Sequence, residues 1–149
     1  MEMQIEKLPA YTFAFMRQAG PYGAGNVQIM DALKSWAKSY HLLDDDAIFL
    51  GILQDNPAAT APENCRYDAC LVMAGPVQDE DVHPGSITGG QYAVFTIRHT
   101  MEAVRKAWAE IFPELDRLGC RLDDSRPVIE RYAARLVQAH LCEICVPIY

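Results

Sequence analysis

One order of elements is written twice along this chain, and two copies of a single unit leave few folds open. Leu8 to Arg17 alternates as a strand, with Tyr11, Phe13 and Phe15 on one side and Thr12 on the other. Gln91 to His99 repeats the pattern: Tyr92 and Arg98 keep the spacing of Tyr11 and Arg17. An amphipathic helix follows each strand. Its stripe is Val27, Met30, Leu33, Trp36, Ala37 and Tyr40 in the first half and Val104, Ala107, Trp108, Ile111, Phe112 and Leu115 in the second. Asn26 is the expected cap of the first helix and Gly119 the C-terminal cap of the second, which Pro113 is expected to kink or split. Strands at Ala47–Gln54 and Cys65–Ala74 then close the first half, and strands at Val128–Leu136 and His140–Ile148 close the second. The expectation is one α+β domain over residues 1–149. It is a tandem of two strand-helix-strand-strand units, about 8–74 and 91–148, joined by a Pro-, Gly- and acid-rich linker at 75–90. Such units associate about a pseudo-twofold axis and leave a central ligand cleft.

A net charge of −7 with no dense run of Lys and Arg argues against direct nucleic-acid binding and mildly favours cationic ligands. No apolar run reaches membrane-spanning length, and Met1 to Glu6 lacks the basic and apolar regions of a signal peptide, so a cytoplasmic protein without a membrane partner is expected. Five cysteines fit a reducing compartment. Cys142 and Cys145 have CxxC spacing, but on a strand positions i and i+3 face opposite sides, which speaks against a metal or redox pair. Neither a metal nor a cofactor is expected.

The last strand, Leu141 to Ile148, carries one carboxylate, Glu143, in an otherwise apolar run. A carboxylate leaving water without a partner costs several kcal/mol or takes up a proton, so Glu143 either anchors a cation or lies solvated on an outer face. Glu130 and Tyr132 share a face of the preceding strand. Glu130 is either a second carboxylate beside Glu143 or the surface partner of Arg131 or Arg135. Tyr11 and Tyr92 occupy equivalent positions, as cleft walls or as core. Tyr22 follows a Gly-Pro turn as a rim residue; Trp36 and Trp108 fall on core stripes, with Trp108 also a candidate for the cleft. Asp68 with Arg66, and Asp55 in its Asp-Asn-Pro turn, read as structural.

Several segments together carry a family resemblance. They are Gly20-Pro21-Tyr22 ahead of Leu33-Lys34-Ser35-Trp36, Asp55-Asn56-Pro57, Arg66-Tyr67-Asp68-Ala69-Cys70, Gly89-Gly90-Gln91-Tyr92-Ala93-Val94-Phe95, Pro127-Val128-Ile129-Glu130-Arg131-Tyr132 and Glu143-Ile144-Cys145-Val146-Pro147-Ile148. In this order they resemble the GyrI-like family, the effector-binding domain also found in AraC-type and MerR-type regulators of bacteria. The resemblance implies a cleft for amphipathic, often cationic or aromatic compounds, with an acid of the terminal motif, here Glu143, lining it. Cys145 stands where that motif commonly has an aromatic residue. No helix-turn-helix precedes the first strand, so a stand-alone member, monomer or homodimer, is expected. Three functions follow from the resemblance. The first is non-catalytic sensing or sequestration of a xenobiotic, with Glu143, Tyr11, Tyr92, Tyr22, Trp108, Glu130, Tyr132 and Cys145 as candidate ligand contacts. The second is a metal-free hydrolase of strained cyclopropane-bearing toxins using Glu143 and Tyr92. The third is inhibition of DNA gyrase as a protein partner.

Overall fold

Eight strands and two long helices, one on each amphipathic stretch, are found among the described residues. The computed structural model describes residues 1–77 and 79–149. In chain order its elements are β1 (Glu2–Leu8), β2 (Tyr11–Ala19), α1 (Ala24–Ser39), β3 (Ile48–Leu53), β4 (Arg66–Val72), β5 (His83–Ile87), β6 (Gly90–Arg98), α2 (Met101–Arg117), β7 (Val128–Ala133), α3 (Ala134–Gln138) and β8 (Leu141–Pro147). All strands pair antiparallel in one sheet of order β1-β6-β8-β7-β3-β4-β2-β5. The fold is α+β, and the strand-helix-strand-strand order occurs in both halves. Outward from the β3–β7 seam, the strands run β3-β4-β2 on one side and β7-β8-β6 on the other.

Five details depart from the sequence expectation. Leu8 ends a separate strand, β1, and the linker expected over 75–90 contains β5, while its residue 78 lies outside the described residues. Both are edge strands, and each lies against the opposite half: β1 on β6, β5 on β2. The strand expected to reach Leu136 stops at Ala133, where α3 begins. Helix α1 starts after Gly23 with no side-chain cap, so Asn26 lies inside the first turn rather than at the cap. Helix α2 runs through Pro113 without dividing, because Ala107, Ile111 and Leu115 are buried on both sides of it.

Both long helices end in the same way. The Gly119 and Cys120 amides bond back to the Asp116 and Leu115 carbonyls, and His41 and Leu42 do the same to Lys38 and Ala37. Gly119 has φ 74° and His41 φ 55°, the left-handed geometry this ending requires.

The helices cover the same face of the sheet but not its middle. Met30, Leu33 and Ala37 of α1 pack on Phe49, Tyr67, Ala69 and Leu71. Ala107, Ile111 and Leu115 of α2 pack on Phe95, Ile144 and Val146. Each helix lies over its own half, which leaves the seam uncovered between them. The opposite face buries a third cluster containing Leu8, Phe13, Leu50, Tyr92 and Cys145.

Candidate functional site

The gap between α1 and α2 is a cleft of about 1360 Å³. Its floor is the seam, with Leu53, Tyr67, Val128, Glu130 and Tyr132; its walls are Asn26, Met30 and Lys34 of α1 and Val104, Trp108 and Phe112 of α2. Exposed apolar side chains, Val27, Met101, Phe112 and Leu122, line its mouth.

Strand register places one carboxylate at the centre of this floor. Glu130 pairs with Gly51 on β3 and with Ile144 on β8. The Tyr67 hydroxyl donates to Glu130 Oε1 at 3.1 Å across Gly51. A Cβ at Gly51 would fall 2.7 Å from Glu130 Oε1 and closer still to the Tyr67 hydroxyl, so the missing side chain is what makes room for both. Burial pushes the Glu130 carboxyl above its ordinary pKa, against hydrogen bonds from Tyr67, Trp108 and Tyr132 that favour the charged form. Burial, reinforced by Glu130, likewise raises the Tyr67 and Tyr132 phenols, which stay protonated and act as donors.

That shift has a sign. A carboxyl whose folded pKa is raised gives stability that is fully present below the ordinary value of 4.5 and is lost as pH rises through the folded value. Glu130→Gln keeps the acceptor for Tyr67 and removes the charge. Urea unfolding at about pH 4 and about pH 8 should show the variant more stable than wild type by about 0.5–2 kcal/mol at the higher pH only. An equal offset at both values would place the cause in packing.

The sequence candidates divide between the two faces. Tyr22, Trp108, Glu130 and Tyr132 line the cleft. Tyr22 is held at its mouth by the Asp55 turn, its hydroxyl donating to the Arg66 carbonyl at 2.8 Å and accepting from the Asp55 amide at 3.1 Å. Glu143, Tyr11, Tyr92 and Cys145 are not in the cleft; they belong to the opposite face. Arg131 pairs in register with Glu143, so Glu130 and Glu143 point to opposite sides of the sheet and form no carboxylate pair. Arg131 Nε and Nη2 bind the two Glu143 oxygens at 2.8 and 2.9 Å, and its Nη1 donates to the Tyr11 hydroxyl at 3.2 Å. Tyr92 is buried with the Arg126 guanidinium 4.8 Å over its ring. Cys145 is fully buried, its thiol pushed up to about 12 by burial, while Cys142 faces the α2 core on the other side. The surface pairing considered for Glu130 does not form, since Arg131 binds Glu143 and Arg135 binds Asp46. Asp68 is structural but bonds Arg17 and Gln54, and Arg66 bonds Asp55.

Tyr67, Gly51, Met30 and Lys34 were not among the sequence candidates. A lone glycine inside the apolar run Ile48–Leu53 was the available signal for a close approach over the backbone.

A helix-flanked apolar cleft with a few convergent polar groups at its floor is the architecture of a small-molecule-binding domain. The family model of the GyrI-like small molecule binding domain matches residues 1–149, and the chain belongs to that family. A Bacillus subtilis (strain 168) protein named as an SPbeta prophage-derived transcriptional regulator, YosT, is 39% identical over 155 residues, covering 99% of both chains. An Edwardsiella ictaluri (strain 93-146) protein named DNA gyrase inhibitor is 27% identical, covering 99% of this chain and 98% of its own. Among solved structures, the EcmrR C-terminal domain matches with a TM-score of 0.75 at 12% identity, over 99% of this chain and 97% of its own. The chain spans 57% of the EcmrR chain seen in its DNA complex. SAV2435 bound to tetraphenylphosphonium matches at TM-score 0.65 and 14% identity, over 100% of this chain and 94% of its own. Among the described residues no helix is long and apolar enough to cross a membrane.

Proposed function

We propose that this chain binds a lipophilic aromatic cation in the cleft between α1 and α2, with Glu130 as counter-ion. One observation carries the reading. Among the described residues four acidic side chains are buried: Asp68, Asp123, Glu130 and Glu143. Arginines 17, 126 and 131 hold Asp68, Asp123 and Glu143 in turn. Among the described residues Glu130 alone of the four has no basic partner; it has neutral donors and an open aromatic cleft above it. A buried carboxylate without a cation is a standing cost that a cationic ligand removes. Trp108, Tyr67 and Tyr132 supply ring faces and edges for its apolar part. The tetraphenylphosphonium named for SAV2435 is a ligand of this chemistry. The role assigned to Glu143 from sequence thus passes to Glu130.

Tetraphenylphosphonium should raise the melting temperature more than the neutral triphenylphosphine oxide at equal concentration. Glu130→Gln should lower phosphonium affinity roughly 10- to 100-fold, the ~1.5–3 kcal/mol of a charged contact, and leave the neutral compound unaffected. Equal stabilisation of wild type by both compounds would end the electrostatic role.

A second reading has one observation behind it. A carboxyl with a raised pKa, hydrogen-bonded to a phenol, is suited to proton transfer onto a strained ring. Mass spectrometry after incubation with a cyclopropane-bearing electrophile should show retention without turnover. Multiple turnovers abolished in Glu130→Gln would move the assignment to a hydrolase.

A further inference from the structure

The cleft has a charge at one end that a simple cation does not use. Along the seam the side chains on the helix face come in rows, Leu53 with Val128, Gly51 with Glu130, and Phe49 with Tyr132. Successive rows are two residues apart, about 7 Å. Over the Phe49–Tyr132 row lie Lys34 of α1, with Nζ 5.6 Å from the Phe49 ring, and His99, whose ring centroid is 5.4 Å from that of Tyr132. Arg105 of α2 lines the same cleft. Acidic side chains stand near both cations in sequence, Asp31 before Lys34 and Glu102 before Arg105. Yet among the described residues neither cation makes an ion pair. Burial, then the Lys34 charge, then His140 hold the His99 pKa below its ordinary value, so at neutral pH His99 offers a neutral hydrogen-bonding ring.

Glu130 thus stands at the floor and Lys34 over the next row, with Arg105 elsewhere in the lining; of the other acids there, Asp55 is held by Arg66 and Asp123 by Arg126, while Asp31 and Asp124 stand at the solvent side. The cleft volume of about 1360 Å³ exceeds the roughly 300–1,000 Å³ of a pocket for one drug-sized molecule, so a ligand seated on Glu130 has space to extend toward Lys34. A purely cationic ligand long enough to do so meets repulsion from Lys34; one with an acid group there meets an unpaired cation.

We infer that the ligand is an aromatic zwitterion, its cationic group over Glu130 and its acid group about one strand row away, toward Lys34. This rests on the cation reading proposed above and narrows the ligand class within it.

Two matched probes separate the claims: (3-carboxypropyl)triphenylphosphonium and its methyl ester share the cation and differ only in the acid. By calorimetry in low-salt buffer, wild type should bind the acid about three- to fivefold tighter than the ester, the size expected for solvent-exposed charge contacts. Added salt should narrow the gap. Lys34→Gln combined with Arg105→Gln should weaken the acid and strengthen the ester, reversing or cancelling the preference. Both positions are exposed, and an unchanged melting temperature checks that the variant is folded. Equal or weaker binding of the acid by wild type would overturn the zwitterion assignment and leave the Glu130 reading standing. Failure of both probes, with no stabilisation by tetraphenylphosphonium, would overturn both.

Discussion

Arg131→Ala should destabilise the chain by about 3–5 kcal/mol, the cost of leaving one buried ion without its partner. Arg131 and Glu143 side chains are 12% and 9% exposed, joined by two parallel bonds, and Arg131 also reaches Glu6 of β1 at 3.3 Å. Four strands thus meet on one guanidinium: β7 carries it, β8 the main carboxylate, β1 the second and β2 the Tyr11 hydroxyl. For a chain of this size, each kcal/mol moves the melting point by roughly 2–4 °C, so thermal unfolding should shift by about 6–20 °C. The double variant Arg131→Met with Glu143→Leu should recover most of the loss, because the cost lies in the orphaned charge rather than in the volume. Arg135→Ala, which breaks the fully solvated pair with Asp46, should change stability by less than about 1 kcal/mol. A small effect of Arg131→Ala would mean that water reaches Glu143 and that this face is not closed.

The same substitution should have opposite signs at two glycines. Gly→Ala ordinarily stabilises by about 0.4–1 kcal/mol, by narrowing the unfolded ensemble. Gly25, in the first turn of α1, should follow that rule, since its new Cβ meets only the flexible end of the Gln18 side chain. At Gly51 the Cβ meets the rigid Tyr67 ring and the Glu130 carboxylate. Tyr67 must tilt away, its bond to Glu130 breaks, and the overpacking should cost about 1–3 kcal/mol. The carboxylate is displaced too, so phosphonium affinity should fall in Gly51→Ala and hold in Gly25→Ala. Calorimetry on both proteins checks this, and retained affinity in Gly51→Ala would show that the cation does not depend on where Glu130 is held.

Much of the frame was legible in the residues themselves. Of the two helix stripes, Met30, Leu33 and Ala37 and likewise Ala107, Ile111 and Leu115 are buried, while Val27, Tyr40 and Phe112 of the same stripes are exposed. Six of the eight strands were read along the chain, two of them from period-two alternation, with one ending three residues too late. The two edge strands were not: β5 is His-Pro-Gly-Ser-Ile, with the two residues least typical of strands, and β1 alternates weakly with an exposed Ile5. An edge strand pairs on one side only and needs little apolar pattern to be held.

Local sequence determined that Glu130 and Tyr132 share a face, that Arg131 lies on the other, and that Cys142 and Cys145 diverge, because neighbouring side chains on a strand point to opposite sides. It did not determine which face the helices cover. That follows from how α1 and α2 pack back on their own halves, and from a register that sets Arg131, not Glu130, beside Glu143. A slip of one residue between β7 and β8 would have set both carboxylates on one face and taken Arg131 away from Glu143. Only the tertiary structure decided that Glu143 is neutralised by an arginine inside the fold while Glu130, almost as buried, lies at the floor of the cleft without one among the described residues, because pairing across strands, unlike alternation along one, is settled by the packing of the whole sheet.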